Sequence, residues 1–185
     1  MSTATPSLGK AAGFGAGAGV IASLVMAMYA MMASTVQNHG FFTPLYHIAS
    51  LWLSPSTMMT SMQDGMMHHN FHFVLGPAIL GAMIHMMTGA MYGAVFGVAV
   101  SRLALKGGAT TGLGMVYGFA VFVLSAYIAL PVAATIFSSG DAITHMARVA
   151  GWSTFLVEHL MFGVALGLIV AGVRVRQLAT AVTAR

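Results

Sequence analysis

Three side chains of this chain are of a type to do chemistry and lie where polar groups are costly. His85 interrupts the stretch 76–100, which holds no Lys, Arg, Asp or Glu, and the adjacent Glu158 and His159 lie in a second apolar stretch, 151–173. Imidazoles on two facing helices can ligate copper, with Met83, Met86 or Met161 nearby as thioethers, or the iron of haem b. A carboxyl in an apolar span is expensive unless paired or protonated, and such groups mark proton or ion paths. The plainer reading is a helix clamp, in which each imidazole bonds a hydroxyl or a backbone carbonyl freed by Pro131. With only two ligands and no further motif, the clamp is the default.

A second candidate set lies in the segment 37–72: Met58, Met62, Met66, His68, His69 and His72. Thioethers and imidazoles suit Cu(I), and the spacing of four places Met58, Met62 and Met66 on one helical face and His68 and His72 on another. Methionine is frequent throughout, however, at 17 residues, so adaptable apolar filling is the competing account. Catalytic arrangements are missing: there is no cysteine, no paired carboxylate, no HExxH, no phosphate-cradling glycine loop and no acyl-transfer signature. Catalysis by this chain alone is not expected.

The elements that must position these residues follow from composition. Hydrophobic residues make up 58% of the 185 and charged residues 5%, against roughly 25% charged in soluble domains. This predicts an all-α, polytopic membrane protein with the lipid bilayer as its first partner. The net charge of +4 is too thinly spread for a nucleic-acid footprint. One membrane domain, 1–185, carries four expected spans at about 11–36, 76–101, 111–137 and 151–173, each long enough for a core ~30 Å thick. Pro131 should kink or end the third. The aromatic run 41–53 is too short to cross and predicts an interfacial or re-entrant helix in the first outer loop. Ser54-Pro55 opens a further helix, which Gly65 is expected to interrupt. Lys10, Arg102, Lys106, Arg174, Arg176 and Arg185 fall on one side of this layout, which places both termini in the cytoplasm.

The second and fourth spans also echo each other. HMMTGAMYG from His85 aligns with HLMFGVALG from His159, so Gly89, Gly93 and Gly97 match a series holding Gly163 and Gly167. Such glycines are helix-packing positions. Each histidine lies eight residues, ~12 Å, past the start of its span. Two parallel-repeat hairpins are expected, with the imidazoles facing each other at one depth. The histidine-bearing second span, the proline late in the third and the His-x3-Gly start of the fourth resemble the YagU-like group of small membrane proteins. That resemblance implies a four-helix protein of the bacterial or archaeal cytoplasmic membrane and carries no mechanism. The function expected is an accessory or structural subunit, self-associating or part of a larger membrane complex, with an intramembrane histidine pair. The alternatives are a copper-handling or haem-binding protein and a small transporter or proton pathway.

Overall fold

A computed structural model describes residues 7–103, 105 and 107–183, with side chains as far as residue 173. Four helices are long and apolar enough to cross a membrane: Leu8–Val36, Leu75–Ser101, Gly107–Phe137 and Trp152–Val173. The first two are α1 (Leu8–Val36) and α4 (Leu75–Ser101). Between them lie α2 (Thr43–Ala49) and α3 (Ser56–Met66). The third crossing comprises α5 (Gly107–Leu124), a π-helical turn (Ser125–Ala129) and α6 (Leu130–Phe137). Two one-turn helices, α7 (Gly140–Thr144) and α8 (Met146–Ala150), lead into α9 (Trp152–Thr183). The chain is an integral membrane protein of helices. The side chains of Lys106, Arg174, Arg176 and Arg185, on which the expected orientation depends, lie outside the described residues.

Pro131 does not end the third crossing. Its ring would clash with the carbonyl four residues earlier, and the π turn immediately before it widens the backbone there. The helix therefore continues to Phe137.

Glycine dictates how the crossings pair. On α4 the residues Gly81, His85, Gly89, Gly93 and Gly97 follow at steps of four. Ile79, Met83, Met87, Met91 and Val95, two positions away and so about 200° round the helix, are all exposed. One face is thus flat and the other greasy. The flat face packs on α1: a Cβ on Gly93 would meet Gly15 O and stand 2.6 Å from Gly19 Cα. On α9 the corresponding face packs on α5, where a Cβ on Gly163 would meet Gly114 O and stand 2.8 Å from Gly118 Cα. The glycine faces of the second and fourth spans therefore do not face each other, as the sequence suggested; each closes its own hairpin. The hairpins join mainly through α1 against α9, while α4 and α5 touch sparsely.

Gly163 meets its partner helix as Gly93 does, and Gly97 meets α1 in the same way, so the contact repeats at every turn of the glycine face.

The end where α1 finishes and α4 begins, here the capped end, is covered by α2, α3, α7 and α8. Tyr46, His47, Ala49 and Ser50 of α2 and the turn after it are buried, and Gly81 of α4 presses on the Leu45 backbone. Gly65 does not interrupt α3. It lets that helix approach the 38–40 backbone, where a Cβ would stand 2.7 Å from the His39 carbonyl carbon. Exposed aromatic pairs ring this end, with Trp52 5.8 Å from Phe137 and Tyr127 stacked 5.8 Å from Trp152, as befits headgroup level.

Tyr46 locks the cap to α4. Its hydroxyl donates to His72 O at 2.8 Å and accepts from Val74 N–H at 2.7 Å. Burial pushes the phenol above its usual value, against the opposing pull of the Val74 N–H. Tyr46→Phe leaves a carbonyl and an amide unpaired in a buried place, so it should destabilise the capped end by about 1–3 kcal/mol. Faster amide hydrogen exchange at Val74 than in the wild type is the expected reading.

Candidate functional site

Below the cap, between the four crossings, lies a cavity of about 170 Å³. Its floor is the apolar core of the other half of the bundle, formed by Tyr92, Phe96, Val121, Phe162, Leu166 and Val170 among others. Its roof is α2, with Met62 of α3 and Met146 of α8. The lining contains Glu158, the only glutamate in the chain, and four of its eight histidines: His39, His47, His85 and His159. Titratable side chains from α2, α4 and α9 thus converge on one space, although they stand far apart in sequence.

Three of the four imidazoles that line the cavity are tied to backbone carbonyls. His159 Nδ1–H donates to Phe155 O at 2.6 Å, His85 Nε2–H to Ser23 O at 3.0 Å, and His47 Nε2–H to Ala142 O at 2.7 Å. None of these carbonyls is one freed by Pro131, and neither His85 nor His159 bonds the other. In a neutral ring the remaining nitrogen then has no hydrogen and can only accept. Burial pushes the His47 imidazole below its usual value, and the Ala142 carbonyl opposes this less strongly. Phe122 meets the His159 ring edge-on at 6.0 Å and Phe155 lies tilted against it at 4.4 Å, centroid to centroid.

Glu158 is 6% exposed. Among the described residues its one polar neighbour is His159, with Nδ1 3.9 Å from Oε1, beyond hydrogen-bonding distance. Among the described residues no Lys or Arg lines the cavity. Neighbouring helical residues point about 100° apart, and the cavity is wide enough to take in both Glu158 and His159.

The methionine and histidine set of the outer segment is divided. Met58 is buried with Tyr46 and Ala78, Met62 lines the cavity, and Met66, His68 and His69 are exposed. His72 Nδ1 lies 2.7 Å from Asp64 Oδ2. Met83, one of the thioethers considered beside the intramembrane histidines, is 55% exposed on the outer face of α4. Among the described residues no group of three or more His, Asp or Glu is placed to hold a metal ion.

No family model, curated protein or solved structure matches the chain. The site must be read from its own geometry.

At about 170 Å³ the cavity is smaller than the pockets of roughly 300–1,000 Å³ that take drug-sized ligands. Water does fit, since about 10–15 Å³ of such space already holds one molecule. His39 and His47, the latter found from sequence only as one member of an aromatic run, are the cavity histidines that the spacing arguments missed. The only sequence signal of His47 is a polar group in a segment too short to cross.

Proposed function

We propose that this protein is a small proton-handling carrier of the membrane, with Glu158 as the group that takes up and releases the proton. The observation that carries this reading is a carboxyl buried within a crossing, without a cationic partner, on a cavity roomy enough for water. An ionised carboxylate there is costly unless a cation arrives, so proton occupancy and cavity contents are linked. His159, His85 and His47 supply acceptor nitrogens along the same wall, and the apolar floor at Tyr92, Val121 and Phe162 blocks a continuous leak. With the positive-inside orientation, the capped end faces outward and the cavity draws its protons from outside. The layout of spans supports a place beside the YagU-like group in a cytoplasmic membrane.

Purified protein in vesicles with a potassium gradient and valinomycin should acidify or alkalinise the lumen according to the sign of the imposed potential. Glu158→Gln should reduce that rate by roughly a hundred-fold, the scale of losing a positioned proton carrier. Flux no faster than in protein-free vesicles, from protein that remains folded, would overturn this reading. That result would return the chain to the accessory or structural role, where the histidines only tie helices together.

A further inference from the structure

We infer that the cavity is a binding site for one small organic ammonium ion, of about the bulk of a single six-membered ring, held by Glu158. The inference rests on the reading of Glu158 as an exchangeable proton site and names what exchanges with the proton.

The first argument is charge. Among the described residues the cavity is lined by one carboxyl and by neither Lys nor Arg, so an occupant that neutralises Glu158 is a cation. The second is hydrogen-bond polarity. His159, His85 and His47 each spend their N–H on a backbone carbonyl, which leaves three ring nitrogens as acceptors beside an acceptor carboxylate. An ammonium group has N–H donors and no acceptor, and so complements such a wall. The third is the remaining surface. Met26, Ile48, Val121, Phe155 and Phe162 line the same space, and among the described residues no group of three or more His, Asp or Glu is placed to hold an inorganic cation. Aromatic faces and thioethers instead suit a hydrocarbon body, and rings attract the attached cation. The fourth is size: an apolar cavity of about 150 Å³ takes up benzene, and this one measures about 170 Å³.

Binding is then an exchange. The neutral acid Glu158–COOH gives up its proton to the water of the cavity, and the carboxylate pairs with the incoming ammonium, so one positive charge enters as one leaves. The titratable groups facing Glu158 across the cavity are His39 between α1 and α2, His47 on α2, His85 and Tyr92 on α4, and His159 on α9; α3, α5, α6 and α8 present none. An exposed hydrogen bond from Gln37 Nε2 to Thr154 Oγ1, 2.8 Å long, joins two lining residues at the rim.

The test is calorimetry of the full chain in lipid nanodiscs with cyclohexylammonium, in two buffers of different ionisation enthalpy. Binding with proton release to the buffer is expected, together with at least about tenfold weaker binding of cyclohexanol and of the amine to Glu158→Gln. Ala30→Phe, which fills the cavity and keeps the carboxyl, should also lose the amine. No binding by folded wild type, or equal binding by Glu158→Gln, would overturn the inference. Proton flux without amine binding overturns it alone and leaves the carrier reading intact. Amine held by Glu158 without proton release or flux keeps the site and overturns the proton reading.

Discussion

Gly93→Leu is expected to prevent α1 and α4 from closing into a hairpin, at a cost of about 3 kcal/mol or more, the upper end of overpacking penalties. The new Cβ meets backbone on both sides, Gly15 O and Gly19 Cα. Backbone cannot swing aside as a flexible side chain would, so the helices must separate. Without water in the hydrocarbon region, close packing is the chief force holding two such helices together, and separation forfeits it. Gly163→Leu should damage the α5–α9 hairpin in the same way. Gly17→Leu is the control, since Gly17 lies on α1 with nothing within 4 Å of a Cβ. Thermal unfolding in mild detergent should rank Gly17→Leu near wild type and the other two far below. Comparable midpoints for all three would show that glycine contact does not hold the hairpins.

Acid should loosen the capped end through His47. Its folded pKa is depressed by burial, while in an opened cap it returns to about 6.5. Below that pH the opened form binds a proton that the closed form refuses. Stability at this position is therefore complete above about pH 6.5 and falls as pH drops, by at most about 1.4 kcal/mol per pH unit for one proton. His47→Gln removes the titration, and its amide still offers a donor to the Ala142 carbonyl. Hydrogen exchange in α2 should accelerate between neutral pH and pH 5 in the wild type, once corrected for intrinsic rates, and accelerate less in the variant. Identical acceleration would assign the loosening to another group.

The crossings were legible in the sequence because the hydrocarbon core imposes length and apolarity on any segment that passes through it. The expected spans at 11–36, 76–101 and 111–137 differ from the observed helices by only a few residues at their ends, and the helix that holds 151–173 runs on to Thr183. Spacing alone also marked Gly89, Gly93, Gly97, Gly163 and Gly167 as packing positions, since steps of four on a helix share a face. What they pack against was not legible. A glycine face accepts any backbone, and only the folded chain pairs α4 with α1 and α9 with α5.

Composition by itself determined that this is a helical membrane protein with ionisable groups inside it. Only the tertiary structure decided that Glu158, His159, His85 and His47 share one cavity, because α2 folds back over the bundle and carries His47 to a wall that no local pattern connects with α9. The same physics separates the methionines. Met62 turns inward and Met66 outward although both fit one helical stripe, because α3 buries one side against α2 and the 38–40 backbone and gives the other to its surroundings. Periodicity assigns residues to a face; which face meets protein depends on where the rest of the chain has gone.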